Sequence, residues 1–221
     1  MFPGRQRRTM TSTSAPSTVF VVDDDPSVRT AVRRLFESVG LTCETFANAA
    51  EFLARADEHA EGCLVLDVRM PGASGLDLQS ALAARGIDIP VVFVTAHADV
   101  PLTVRAMKAG ALEVLTKPFE DQTLLDVVHG ALEKSRLRRQ EREEISRLRS
   151  LVDTLTPRER EVMALVVAGL PNKIIARQLG TTEGTVKAHR AQVMHKMHVD
   201  SLADLVRIAD RLGMSSTSQP H

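Results

Sequence analysis

The sequence has few cysteines, no apolar run long enough to cross a membrane and no net charge. Only two of its 221 residues are cysteines, Cys43 and Cys63, and they lack the spacing of a metal site. We interpret both as buried thiols rather than as a disulfide or zinc ligands. No stretch approaches the roughly 18 apolar residues of a membrane-spanning helix, and the arginines in residues 1–17 precede no apolar segment. These absences predict a soluble cytoplasmic protein without a membrane partner.

The zero net charge hides an uneven distribution along the chain. Residues 18–130 contain 9 Lys and Arg against 17 Asp and Glu, whereas residues 131–152 contain 7 against 4 and residues 153–221 contain 9 against 7. This pattern favours a cation-binding unit joined to one that tolerates polyanions. A chain of 221 residues is long enough for two domains with separate cores.

Short apolar runs alternate with amphipathic stretches in the first half of the chain. Strands are predicted at 19–22, 43–46, 63–66, 91–94 and 113–115, and helices at 27–39, 49–56, 76–84, 100–109 and from 121 onward. Because parallel neighbours need a crossover connection, this alternation predicts an α/β doubly wound, five-stranded parallel sheet. Ligands of such sheets bind at the carboxyl ends of the strands.

The second half of the chain is predicted to be helical. Residues 131–152 mix Arg and Glu around sparse apolar positions, which favours a solvated linker helix over a coiled coil. Thr156 to Glu159 form a capping-box start, and four helices follow at 158–168, 172–179, 183–197 and 202–212. The tight turn between the second and third of them has helix-turn-helix spacing. We expect domains at 18–130 and 153–213, with disordered tails at 1–17 and 214–221.

Acidic side chains follow two strands of the predicted sheet. Asp23, Asp24 and Asp25 follow the first strand, and Asp67 ends the third. Carboxylates gathered at one sheet edge repel one another unless a cation lies between them, and Mg²⁺ suits an all-oxygen site. Asp25, which precedes Pro26, has the alternative role of capping the next helix.

A hydroxyl and an ammonium complete a set suited to phosphoryl transfer. Thr95 ends the fourth strand, and Lys117 follows the fifth. Asp67 is the predicted nucleophile, because it ends a buried apolar strand and is followed by a turn. Nothing in the pattern indicates turnover of a small substrate. We therefore expect a phosphoacceptor rather than an enzyme, with at most slow autophosphorylation from small donors and autodephosphorylation.

These motifs resemble two known domains. VVDDD at 21–25, LDVRMPG at 66–72, VTAH at 94–97 and KPF at 117–119 resemble the flavodoxin-like receiver domain of two-component response regulators. LTPREREV at 155–162 and TVKAHR at 185–190 resemble the LuxR-type helix-turn-helix, an all-α domain of four helices. Their order resembles the FixJ-like branch of the NarL/FixJ family and covers nearly all of the chain outside its tails.

The resemblance implies that a sensor histidine kinase phosphorylates Asp67 in the presence of Mg²⁺. Asp24 would bind the metal directly and Asp23 through water, with Asp67 itself and the Arg69 backbone carbonyl as further ligands. Modification would then promote a homodimer that binds double-stranded DNA and acts with RNA polymerase, as an activator of transcription.

The resemblance also implies a switch around the phosphoryl group. Lys117 would pair with the group and Thr95 would move toward it, while Arg69 and His97 occupy positions that tune autodephosphorylation. Val114 departs from the family, which usually has Tyr or Phe at this position. The aromatic half of the usual relay is therefore missing.

The recognition helix is predicted at 183–197, with cations on an exposed polar face. The resemblance to the LuxR-type domain implies that Lys187, Ala188 and Ala191 face bases, and that Thr182, Thr185 and Arg190 lie nearer the DNA backbone. Two alternatives stay open: a regulator that binds DNA whether or not Asp67 is modified, and an aspartyl-phosphate phosphatase with a DNA-binding appendage. Such phosphatases need an acid two residues after the nucleophile, where this chain has Arg69.

Overall fold

The computed structural model describes residues 18–57, 60–97 and 99–214. Of the two tails predicted to be disordered, 1–17 lies outside this described part, and so does 214–221 except for Met214. The chain divides into two compact units, Met1–Arg139 and Gln140–His221. Among the described helices, none combines the length and the apolar character that a membrane span requires.

The first unit is built on a parallel sheet. Within the described residues the sheet has five strands in the order β2-β1-β3-β4-β5, and every neighbouring pair is parallel. The elements are β1 (Thr18–Val22), α1 (Pro26–Ser38), β2 (Thr42–Phe46), α2 (Ala49–Arg55), β3 (Gly62–Asp67), α3 (Gly75–Ala84), β4 (Val91–Thr95), α4 (Val100–Lys108) and β5 (Glu113–Thr116). This confirms the predicted fold. The strand order reverses between β1 and β3, so the crevice for a ligand lies at their carboxyl ends.

The central strands are covered on both faces. Phe20 and Val22 of β1 belong to a core with Phe52 of α2, whereas Val19 and Val21 belong to a second core with Phe36 of α1. Strands buried on both faces are apolar throughout. The polar side chains of the central strands therefore lie at the strand ends.

One helix, α5 (Asp121–Asp153), contributes to both units. It buries Leu124, Val128 and Ala131 in the second core of the sheet domain. The first compact unit ends at Arg139. Segment 131–152, expected as a solvated linker, is thus divided between the units, because the apolar face of α5 continues beyond Gly130.

The second unit is helical in its described part. After α5 come α6 (Pro157–Val167), α7 (Asn172–Gln178), α8 (Glu183–Lys196) and α9 (Leu202–Arg211). Their shared core includes Val162, Ile175, Val186 and Leu205. The predicted capping box of Thr156 and Glu159 is present at the start of α6, and Thr182 caps α8 by accepting a hydrogen bond from the Thr185 N–H at 3.1 Å.

His198 follows α8 in a left-handed conformation, with φ of 53°. This region costs a residue with a Cβ about 1–2 kcal/mol, whereas glycine adopts it freely. We expect His198→Gly to raise the free energy of unfolding by up to about 1 kcal/mol, measured by urea denaturation. The control is His195→Gly inside α8, which should lower it by about 0.5 kcal/mol. A loss of stability in His198→Gly would contradict the strain argument.

Candidate functional site

Three carboxylates converge where β1 and β3 end. Asp23 and Asp24 follow β1, Asp67 ends β3, and one carboxylate oxygen from each lies within 4.8 Å of the others. The side chains of Asp23 and Asp67 are buried, whereas Asp24 is exposed. The structure thus brings together the three predicted carboxylates, with Asp24 open to solvent.

Lys117 reaches both buried carboxylates from the end of β5. Its Nζ lies 2.6 Å from Asp23 Oδ2 and 2.7 Å from Asp67 Oδ2. Burial by itself lowers the pKa of Lys117, but the hydrogen bonds to these two carboxylates outweigh it and leave the pKa raised. Burial raises the pKa of Asp23 despite the nearby ammonium. Lys117 therefore contacts two of the three carboxylates.

Backbone amides orient the two buried carboxylates. Asp23 Oδ1 accepts a hydrogen bond from the Asp25 N–H, and Asp67 Oδ1 accepts one from the Arg69 N–H, each at 2.9 Å. Asp25 instead accepts from the Ser27 N–H at 2.7 Å and caps α1. Its alternative role as a helix cap is thus confirmed.

The oxygen-only donor set fits a hard divalent cation. Mg²⁺ binds proteins through one or two carboxylates and keeps several waters. Exposed Asp24 and the neighbouring Asp67 offer such ligands, while Lys117 occupies one oxygen of Asp67.

Thr95 ends β4, the strand that neighbours β3. Its side chain is fully buried, and its hydroxyl lies 3.3 Å from the backbone N of His97 and 3.4 Å from the His97 carbonyl oxygen. Within the described residues it makes no hydrogen bond to the three carboxylates. The side chains of His97 and Arg69 are exposed, and Val114 packs half-buried against the first core.

Two residues at this sheet edge escape prediction from the sequence. Arg29 Nη1 donates a hydrogen bond to the Asp23 carbonyl oxygen at 2.6 Å, which holds the turn after β1. Arg29 stands four residues after the helix cap Asp25, and this spacing is the sequence signal that could have indicated its contact with the turn after β1. A Cβ on Gly75 would lie 2.4 Å from the Asp67 carbonyl oxygen, so α3 starts directly against the end of β3. No sequence pattern indicates that close approach.

The α8 helix presents most of the predicted DNA-binding residues to solvent. Val186 and Val193 are buried in the helical core. The exposed residues include Thr182, Thr185, Lys187, Ala188 and Ala191. Lys187 makes no hydrogen bond or ion pair with any described residue. Its ammonium is therefore available to an anion.

Arg190 and Lys196, the other Lys and Arg residues of the predicted recognition helix, have partners inside the unit. Arg190 is half-buried, and its Nη1 donates to Asn172 Oδ1 at 2.6 Å. Lys196 Nζ lies 2.7 Å from Glu159 Oε2 and 3.2 Å from the Thr154 carbonyl oxygen. Both side chains link α8 to preceding parts of the unit.

Comparison with known proteins identifies the family of the chain. The model of the response regulator receiver domain matches residues 19–129, and that of bacterial regulatory proteins of the luxR family matches residues 153–209. The chain belongs to the response regulators. This response regulator is 50% identical to Nodulation protein W of Bradyrhizobium diazoefficiens over 206 residues, 93% of this chain and 91% of that relative.

Solved structures of response regulators agree with this family. The structure of response regulator StyR is 52% identical, with a TM-score of 0.80, and the match covers 89% of this chain and 100% of that one. Full-length FixJ from B. japonicum is 37% identical, with a TM-score of 0.54, and covers 92% and 100%. The predicted family is confirmed. A receiver domain followed by a LuxR-type DNA-binding domain is the organisation of a phosphorylation-controlled transcription regulator.

Proposed function

We propose that Asp67 of this response regulator accepts a phosphoryl group from a sensor histidine kinase and thereby controls binding to double-stranded DNA. The contact of Lys117 Nζ with Asp67 Oδ2 at 2.7 Å carries the proposal. An Asp67 oxygen attacks the phosphorus of a phosphohistidine; the new P–O bond forms as the P–N bond breaks, and the imidazole leaves and takes up a proton. Such catalysis consists chiefly of positioning and charge stabilisation.

The residues around Asp67 have separate roles in this proposal. Asp24, Asp67 and the Arg69 carbonyl would hold Mg²⁺ directly and Asp23 through water, and the bound cation would neutralise charge on the phosphoryl oxygens. Lys117 pairs with a phosphoryl oxygen, because its ammonium already contacts the acceptor carboxylate.

Three further side chains act after phosphoryl transfer. The Thr95 hydroxyl leaves the His97 backbone for the phosphoryl group. Exposed Arg69 and His97 tune autodephosphorylation by controlling how water reaches the phosphoryl group.

Mg²⁺ should stabilise the protein through Asp24. A ligand that binds only the folded state adds about 2.7 kcal/mol at a concentration 100 times its Kd. We expect the thermal midpoint to rise with Mg²⁺ concentration, and Asp24→Asn to remove most of that rise. Asp25→Asn is the matched control, since asparagine also caps a helix and Asp25 lies outside the cluster. An equal Mg²⁺ response in both variants would contradict the assignment of Asp24.

The outer face of α4 supports dimerisation on modification. Val100 is 77% exposed, and Val104 and Met107 are each 44% exposed, which is unusual for large apolar side chains on one short helix. Pairing through this face in a homodimer would present two α8 helices to half-sites about one helical turn apart.

The exposed face of α8 supports direct reading of DNA. Lys187, Ala188 and Ala191 contact base edges, while Thr182, Thr185 and Arg190 contact the DNA backbone. The Arg190 guanidinium either leaves Asn172 to contact the DNA backbone or contacts it while still hydrogen-bonded to Asn172. On the promoter, the protein acts with RNA polymerase as an activator.

The test treats the full chain with acetyl phosphate and Mg²⁺ and measures its affinity for fragments selected from genomic DNA, together with its sedimenting mass. Modification should tighten DNA binding roughly 5–150-fold, the usual range of coupling between two sites, and double the mass. Equal affinity before and after labelling would favour a regulator that binds DNA constitutively. Multiple turnover of a phosphomonoester would favour the phosphatase, and an unchanged mass would exclude dimerisation.

A further inference from the structure

A cleft of about 300 Å³ lies in the first unit, at the sheet edge opposite Asp67. Val91, the first residue of β4, lines it, and β4 ends at Thr95 on the phosphoacceptor edge. Ala109 and Gly110, which follow α4, also line it. Both β4 and α4 therefore extend from the Thr95 region to this cleft. Two regular elements thus connect the Thr95 region with the cleft.

Gln79 of α3 holds the α4 end of the cleft. Its Nε2 donates a hydrogen bond to the Ala109 carbonyl oxygen at 3.0 Å. Its Oε1 is buried and has no partner within the described residues, so the acceptor of the amide is unused. The α4 helix itself buries only Ala106. A helix so little buried is among the elements most able to move.

On the opposite wall of the cleft, an ion pair connects α5 to the loop before β4. Arg138 Nη1 lies 2.5 Å from Asp88 Oδ1, in the loop between α3 and β4. The neighbouring Arg139 forms an ion pair with Glu61. Buried Ser135 accepts a hydrogen bond through Oγ from the Gly62 N–H at 3.3 Å. These contacts fix α5 to the sheet domain as far as Arg139, where the first compact unit ends.

We propose that this cleft is the route by which modification of Asp67 reaches α5. The Gln79–Ala109 hydrogen bond and the Asp88–Arg138 ion pair hold α4 and α5 in the unmodified arrangement. Movement of α4 breaks the first contact and weakens the second, and the segment of α5 from Ser135 to Arg139 loosens from the strand ends. The proposal rests on the proposed function of Asp67 and supplies its regulation, in a chain that has Val114 instead of an aromatic relay residue.

The Gly62 amide reports this loosening directly, because Ser135 is its acceptor. Amide exchange is measured by NMR on the full chain, before and after treatment with acetyl phosphate and Mg²⁺. Modification should accelerate exchange of the Gly62 amide at least about fivefold, the lower end of typical coupling. Arg138→Gln should accelerate exchange of the Gly62 amide even before Asp67 is modified, so that modification then accelerates it by a smaller factor. Gln79→Met should have the same two effects, because it removes the hydrogen bond to Ala109 on the α4 side of the cleft.

Two further variants separate this route from general destabilisation. Arg136→Gln is the matched control, since Arg136 pairs with Glu133 of the same helix and, among the described residues, has no ion pair with a residue outside α5. It should behave as the wild type. The double variant Asp88→Arg with Arg138→Asp should restore the slow exchange of the unmodified protein.

The outcomes distinguish the two proposals. A labelled wild type whose DNA affinity changes while exchange of Gly62 does not would overturn the cleft route alone. Equal exchange in Arg138→Gln, Arg136→Gln and the wild type would also overturn it. A chain that takes no label, or whose label leaves DNA affinity unchanged, would refute the proposed function, and the coupling with it.

Discussion

Replacing Asp67 by asparagine should reduce labelling by a small phosphodonor to background. An amide oxygen is a poor nucleophile, and Asp67, which ends β3, is the proposed acceptor of the cluster, with Lys117 on one oxygen and the Arg69 N–H on the other. Asparagine keeps an oxygen that can accept the Arg69 N–H, so we expect the fold to be retained. The measurement is the mass of the intact protein after incubation with acetyl phosphate and Mg²⁺.

The same substitution also tests the electrostatics of the cluster. Removing one of three nearby carboxylates relieves repulsion, so in the absence of Mg²⁺ the thermal midpoint should not fall. Asp25→Asn, at the same sheet edge, should label as the wild type does. If Asp67→Asn carries phosphate on a peptide containing Asp23 and Asp24, the phosphoacceptor is one of the carboxylates that follow β1.

The position of the carboxylate cluster follows from the sequence by simple topology. Parallel strands place their carboxyl ends at one edge, so residues that end β1 and β3 meet wherever these strands are neighbours. What topology leaves open is how the side chains pair. The contact of Lys117 with Asp23 as well as Asp67 depends on the path of the chain after β5. Similarly, the Thr95 hydroxyl has backbone partners at His97 that no motif indicates.

The extent of α5 in the first unit was harder to predict than the fold. A dense mixture of Arg and Glu is typical of a solvated helix, yet Arg138 and Arg139 pair with acids from distant loops. Charge alone does not reveal a partner that is remote in the sequence. The same reason explains Lys196, whose partner Glu159 lies in another helix.

Lys187 and Lys196 should respond oppositely to substitution, although both lie on α8. Lys187→Ala should weaken binding to the selected DNA about 10–100-fold, because a base contact contributes about 1–3 kcal/mol. Its thermal midpoint should stay unchanged, since Lys187 is exposed and has no partner among the described residues. The measurements are DNA titrations at fixed salt concentration and thermal denaturation.

Lys196→Gln is the matched variant, and we expect it to lower the thermal midpoint at neutral pH with a much smaller effect on DNA affinity. The hydrogen bond from Lys196 holds the pKa of Glu159 below its ordinary value of 4.5. This contribution to stability is therefore present above pH 4.5 and is lost as the pH falls through the lowered pKa. The variant should lose that part of the acid dependence.

If Lys187→Ala instead weakens binding to all DNA sequences equally and reduces the slope of the salt dependence by about 1, Lys187 contacts phosphate rather than a base. If Lys187→Ala leaves DNA affinity unchanged, Lys187 of α8 does not contact the DNA.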